Sequence, residues 1–264
     1  MHIAITGASS GIGEALAREW SAAGAKVTLV ARRKALLEKL AGELPGPKNV
    51  FAHDLADPAR ATEWLAPAEA ALGPIDVLVN NAGVQVVEAT SLLDADKADL
   101  QLRVNLLSPL RLLRAVLPAM LARGAGTIVN VASVAALAPT PGMTWYSASK
   151  GGLAAASEGL RGELRGSGVN VVTVYPGPVE SDMGRSGLAA YKTGIALSLS
   201  PWGTPDVLAR RVRAAVEKRR ARVIYPRVYS LTRWFPGTTR FILDRFTPPL
   251  AAAQEVAVVA PPAR

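Results

Sequence analysis

Short apolar runs alternate along this chain with longer stretches in which apolar side chains recur every three or four positions. The first run, His2–Thr6, passes through glycines into a stretch carrying Ile12, Leu16 and Trp20, which predicts a strand, a turn and a helix. The alternation continues, with strands expected at 26–31, 49–53, 75–79, 126–132, 170–175 and 222–225. Helices are expected at 58–72, 95–123, 145–167 and 204–220, with loop and short helix at 182–203 as a lid. Strands and helices alternating at this spacing imply right-handed crossovers and a parallel sheet covered by helices. No internal repeat and no linker marks a second unit. Residues 1–225 are therefore expected as one α/β domain, followed by an extension over 226–264.

The turn after the first strand reads Thr6-Gly-Ala-Ser-Ser-Gly-Ile-Gly13. A strand, glycine turn and helix in that order aim backbone N–H groups and a helix N-terminus at a phosphate. Gly7, Gly11 and Gly13 permit the tight turn and the close approach, although glycines alone fit an ordinary βα turn equally well. The second strand narrows the choice. In dinucleotide-binding sheets its end faces the adenosine ribose, where an acid takes the 2′-hydroxyl and an arginine accommodates a 2′-phosphate. Ala31 and Arg32 hold that place with no acid nearby, so NADP(H) is favoured over NAD(H); Arg33 is expected to open a solvated helix.

The stretch Tyr146-Ser-Ala-Ser-Lys150 places a phenol and an ammonium four residues apart, on one face of the expected helix. A free phenol titrates near ~10, too high for efficient proton exchange at neutral pH. An adjacent fixed ammonium is expected to lower it. Ser133, at the C-terminal end of the fifth strand, can hydrogen-bond a reacting oxygen, because open α/β sheets place their ligand crevice at that end. By itself the Tyr–Lys spacing fits a surface helix, and its weight comes from this setting.

Composition and charge modify the picture in two places. The 264 residues include no cysteine and two histidines, His2 and His53, so no disulfide and no metal site is expected, and a reducing, cytoplasmic setting fits. No secretory signal is visible, and the longest apolar run, 104–122, is interrupted by Pro109, Arg111, Arg114 and Pro118. The net charge of +9 is carried entirely by residues 210–245, which hold eleven Lys/Arg against Glu217 and Asp244. There Tyr225, Tyr229, Trp234, Phe235, Phe241 and Phe246 are interleaved with Arg227, Arg233, Arg240 and Arg245. Two readings stand: a cap whose aromatics pack over the substrate entrance, or peripheral contact with an anionic membrane through 226–246. No nucleic-acid recognition motif accompanies the charge. The tail 247–264 is expected to be loosely ordered.

The motifs occur in one order: the glycine turn, Asn80-Asn81-Ala82-Gly83, Asn105, Ser133, Tyr146 with Lys150, and Pro176-Gly177. Together, over about residues 1–225, they resemble the short-chain dehydrogenase/reductase family. The resemblance implies a Rossmann-type doubly wound parallel sheet of about seven strands, and interconversion of a carbonyl and an alcohol with a nicotinamide cofactor. It implies that Tyr146 is the general acid or base and that Lys150 tunes it and binds the nicotinamide ribose. Ser133 would hold the substrate oxygen, and Asn105 a water of the proton relay. Gly7, Ser9, Ser10, Gly11, Ile12 and Gly13 would form the pyrophosphate turn. Asp54 and Leu55 would meet the adenine, and Asn81, Ala82 and Gly83 the ribose region. Pro176, Gly177, Val179 and Ser181, the last in place of the family's threonine, would lie along the nicotinamide. A homo-oligomer through helices 95–123 and 145–167 is also implied. A hydrophobic small-molecule substrate is expected from Met143, Trp145 and the apolar stretch 188–199. The alternative is a module that binds NADPH as a sensor or scaffold without turnover.

Overall fold

The computed structural model describes residues 1–191, 201–247 and 250. The remainder of the expected lid and of the apolar stretch, residues 192–200, lies outside the described residues, as does almost all of the tail. Seven parallel strands form one sheet: β1 (His2–Thr6), β2 (Lys26–Ala31), β3 (Lys48–Ala52), β4 (Val77–Asn80), β5 (Gly126–Val131), β6 (Val169–Pro176) and β7 (Arg222–Tyr225). Their order is β3-β2-β1-β4-β5-β6-β7, so the winding reverses between β1 and β4 and opens a crevice at the C-terminal strand ends there.

Successive strand side chains point to opposite faces, and the sequence sorts accordingly. Ile3, Ile5, Leu29, Val77 and Val79 face one side, against Leu16 and Trp20 of α1 (Gly11–Ala22), Leu37 of α2 (Lys34–Glu43), and Leu208 and Val212 of α8 (Pro205–Glu217). Ala4, Val30, Leu78 and Ile128 face the other, against Leu65 and Ala68 of α3 (Leu65–Leu72), Leu112, Val116 and Met120 of α5 (Ser108–Arg123), and Leu160 of α6 (Thr144–Glu163). Because both faces are covered, the strands read as nearly continuous apolar runs.

Two helices depart from the sequence expectation. The helix expected over 58–72 is regular only from Leu65; before it the chain runs through turns in which the Asp57 carboxylate accepts from the Ala59 amide. The helix expected over 95–123 is α4 (Ala95–Leu102), a π-helical turn at Arg103–Leu107, and α5. By length and composition this run would cross a membrane, yet its Leu112, Val116 and Met120 are core residues against the sheet. The π-turn adds a residue to the helical repeat at Asn105, which is wholly buried.

After β7 come a 3₁₀ turn at Arg227–Ser230, α9 (Leu231–Trp234) and α10 (Pro236–Phe246). The expected cap is met only in part. Tyr229 and Leu243 pack against Ala132, Val134 and Ala138, whereas Trp234, Phe235, Phe241 and Phe246 remain exposed.

Candidate active site

A cavity of about 690 Å³ opens at the C-terminal ends of the strands. It runs from the glycine turn and the end of β2 to the start of α6 and to α7 (Asp182–Ala189). Of the expected residues, Gly7, Ser9, Ser10, Gly11, Ile12, Arg32, Asp54, Leu55, Asn81, Ala82, Gly83, Ser133, Tyr146, Lys150, Pro176, Gly177, Val179 and Ser181 line it. Gly13 and Asn105 lie behind this wall.

The glycine turn is locked from beneath. Thr6 Oγ1 donates to Val79 O at 3.2 Å and accepts from the Asn81 and Ala82 amides at 3.0 and 3.1 Å. Asn81 Nδ2 donates to Thr6 O and Gly7 O. Asn81 therefore holds the turn in shape as well as lining the cavity. Gly7 sits at φ +67°, and a Cβ at Gly13 would lie 2.1 Å from Gly7 O. At Gly11 an added Cβ would meet only Ser181 Cβ, at 3.6 Å, so these two residues face each other across the cleft. Ser10 is the N-cap of α1, but its side chain makes no capping bond, which leaves the first amides of the helix to an anion in the cleft. This cradle fits the pyrophosphate of a dinucleotide. Gly13→Ala is expected to displace the turn and to weaken NADPH binding by about tenfold or more, measured by fluorescence titration, with the fold retained in circular dichroism.

Arg33 stands, as expected, at the start of the solvated helix α2, as its N-cap. Its guanidinium turns back to the glycine turn and donates to Ser9 Oγ at 2.9 Å and Ser10 Oγ at 2.7 Å. With Arg32 it lines the cavity at the end of β2, giving two cations where one was expected.

At the other end, β5 delivers Ser133, whose hydroxyl accepts from the Ala135 amide at 3.1 Å and donates towards Pro176 O at 3.5 Å. Tyr146 and Lys150, four apart on α6, are both buried, at 8% and 4% exposure. Lys150 Nζ donates to Val131 O at 2.8 Å. Burial pushes the Tyr146 phenol above its ordinary value, and a hydrogen bond with the Ser133 hydroxyl pulls the other way. The same burial lowers the Lys150 ammonium from 10.5 to about 8. The expectation that Lys150 lowers the phenol is thus not met in this arrangement: desolvation dominates at both groups.

Behind Lys150, Asn105 bridges three elements. Its Oδ1 accepts from the Val84 amide at 2.8 Å, and its Nδ2 donates to Val84 O at 2.8 Å and Ser149 Oγ at 3.0 Å. Ser149 Oγ in turn donates to Tyr146 O at 2.7 Å. A Cβ at Gly83 would lie 3.3 Å from both Asn105 Oδ1 and Lys150 Nζ, so glycine there keeps the space between them open. Sequence reasoning passed over Ser149, although its place one residue before Lys150 puts it on the same buried face. It also passed over Thr6, Gln85 and Thr140. The Ser181 hydroxyl caps α7, accepting from the Gly184 amide at 3.1 Å while the residue lines the cleft.

Comparison with known proteins gives the same assignment. A family model described as short chain dehydrogenase matches residues 1–191. A short chain dehydrogenase of Pseudocercospora fijiensis is 39% identical over 188 residues, covering 68% of this chain and 60% of that protein. The chain thus spans less than two thirds of that relative's length. The crystal structure of a short-chain dehydrogenase from Streptomyces avermitilis superposes with a TM-score of 0.79 at 30% identity, covering 92% of this chain and 94% of that one. A 3-ketoacyl-(acyl-carrier-protein) reductase from Brucella melitensis complexed with NADH gives 0.75 at 28% identity, covering 85% and 96%. A metagenomic short-chain oxidoreductase in complex with NADP gives 0.69 at 31%, with the same coverage. The chain belongs to the short-chain dehydrogenase family of oxidoreductases.

Proposed function

We propose that this chain is an NADP(H)-dependent oxidoreductase that interconverts a ketone or aldehyde with the corresponding alcohol. The observation that carries the reading is a buried phenol, beside Ser133 and Lys150, in the wall of a cavity whose far end is a phosphate cradle. The nicotinamide cofactor, when bound, supplies or accepts the hydride. The chain's residues do the rest. The Ser133 hydroxyl holds the substrate oxygen. The Tyr146 O–H gives its proton to that oxygen in reduction and takes it back in oxidation. Lys150 sits behind the phenol on the Val131 carbonyl, and Asn105 and Ser149 fix the start of α6 against the Val84 backbone, which keeps Tyr146 aligned.

NADP(H) over NAD(H) is supported by Arg32 and Arg33 at the end of β2, where Arg33 is held on two serine hydroxyls as a ready partner for a 2′-phosphate. Related structures carry NADH or NADP, so the choice rests on these arginines. A hydrophobic substrate is supported by Val134, Ala138, Met143, Met183 and Leu188 in the cavity wall. A homo-oligomer is supported by Leu107 and Leu121, exposed on the long helical run.

The test is reduced-nicotinamide consumption by the purified chain with a panel of hydrophobic ketones and aldehydes, run with each cofactor. Turnover with NADPH is expected. Arg33→Ala is expected to raise KM for NADPH by about tenfold and leave KM for NADH nearly unchanged. An equal effect on both cofactors would remove the 2′-phosphate assignment, and no turnover with any carbonyl or alcohol would remove the reductase reading.

A further inference from the structure

Trp234 is 71% exposed and Phe241 69% exposed, and Leu231, Phe235, Ile242 and Phe246 lie open beside them in the same short segment. Large apolar side chains exposed this densely along one segment point to an interaction site. In α10 the half-buried row is Thr239, Leu243 and Thr247 at its end, while Phe241 and Arg245, four apart, are both exposed. The charge of the segment is one-sided. Arg227, Arg233, Arg240 and Arg245 are opposed only by Asp244, which pairs with Arg240. The Arg245 guanidinium lies 5.8 Å from the Phe246 ring centroid, a cation beside an aromatic at the surface.

This chemistry selects among occupants. A second copy paired about a two-fold axis would bring this basic face against itself. An anionic bilayer complements it: aromatic rings and arginine stems enter the headgroup boundary while the guanidinium groups meet anionic headgroups.

We propose that residues 227–246 dock the protein on an anionic lipid bilayer, with Trp234, Phe235 and Phe241 in the headgroup layer and the arginines on lipid phosphates and carboxylates. The position of the segment gives the docking a use. Leu243 packs against the cluster containing Ala138, and Arg240 donates to Pro139 O at 3.3 Å, while Ala138 and Thr140 line the cavity. The inner row of the segment therefore adjoins the cavity wall, and docking would hold the cavity near the bilayer as a source of lipophilic carbonyl substrate. This last consequence rests on the reductase reading; the docking does not, and its test measures binding alone.

The experiment is flotation of the full chain with phosphatidylcholine vesicles and with vesicles containing about 30% phosphatidylserine at low salt, for wild type and for Trp234→Ser/Phe241→Ser. Both substituted side chains are exposed, and unchanged NADPH binding serves as the control for folding. Wild type is expected to float with the anionic vesicles, about tenfold less with phosphatidylcholine alone, and the double variant about tenfold less with either. Trp234 emission is expected to shift to the blue on anionic vesicles. Wild type left unbound by both vesicles would overturn the proposal. So would equal binding of the double variant, which would place the contact on other basic residues. A wild-type oligomer that ignores vesicles and is dissociated by the double substitution would assign the face to a second copy of the chain instead.

Discussion

Tyr146→Phe is expected to lower kcat for carbonyl reduction by about 10³-fold, with the Kd for NADPH changed by no more than about twofold. The substitution removes one oxygen and leaves the ring that fills the site beside Lys150. The size of the loss follows from the proposed role of that oxygen as the proton donor, and burial, which raises the phenol, favours the donor form. Removing it forces the alkoxide formed by hydride addition to find a proton elsewhere. Single-turnover absorbance measurements separate this chemical loss from cofactor binding. An activity within about tenfold of wild type would mean that another group gives the proton.

Lys150→Met is expected to lower kcat/KM by at least about a hundredfold and, unusually for a buried substitution, to stabilise the cofactor-free protein near pH 7. Lys150 titrates at about 8 in the fold against an ordinary 10.5. Below 8 the fold must hold a desolvated charge. Between these two values the unfolded chain binds a proton that the folded one does not, so wild-type stability rises with pH across that window. The full difference is about 3 kcal/mol at 1.36 kcal/mol per pH unit. Methionine matches the stem and carries no charge, but it leaves Val131 O without its donor, an offset of about 1–2 kcal/mol. A net gain of about 1–2 kcal/mol at pH 7 is therefore expected. The gain should shrink and then reverse as wild type is titrated to pH 10.5, read as Tm at each pH by circular dichroism. A variant destabilised equally at pH 7 and pH 10 would mean that the ammonium is already compensated within the fold. A gain at pH 7 that reverses by pH 10.5 would make Lys150 a residue retained for chemistry at the expense of stability.

The sheet was legible in the sequence because strands covered on both faces must be apolar nearly throughout, and their alternation with helical spacing leaves little topological freedom. Strand edges shifted by a residue or two, as in β3 and β4, since pairing with a neighbour decides where a strand ends. Ser133, Tyr146 and Lys150 were legible as a constellation, because the strand end and the helix face fix where they point. Other features depend on contacts between distant residues. Arg33 opens α2 as its neighbours suggest, but local sequence does not reveal that its guanidinium reaches Ser9 and Ser10 across the turn. A regular helical repeat does not reveal the π-turn that buries Asn105, nor the Ser149 hydroxyl that joins Asn105 to α6. The sign of the Tyr146 shift was misjudged for the same reason. Spacing reports that an ammonium is near, but the burial that raises the phenol is set by the whole wall, and the opposing influence is the Ser133 hydroxyl. In the C-terminal segment the aromatics cluster in sequence, and the fold packs Tyr229 inward while leaving Trp234 and Phe241 exposed.

Hydride passage between a nicotinamide and a carbonyl carbon beside Tyr146 is read by isotope transfer. The purified chain is given NADPH deuterated at the transferable position of C4 together with the best ketone from the substrate panel, and the alcohol is analysed by mass spectrometry. One deuterium is expected on the carbinol carbon, formed by wild type and suppressed by about 10³-fold in Tyr146→Phe. Alcohol formed without deuterium from either C4 isotopomer, or labelled alcohol formed equally fast by Tyr146→Phe, would contradict this mechanism.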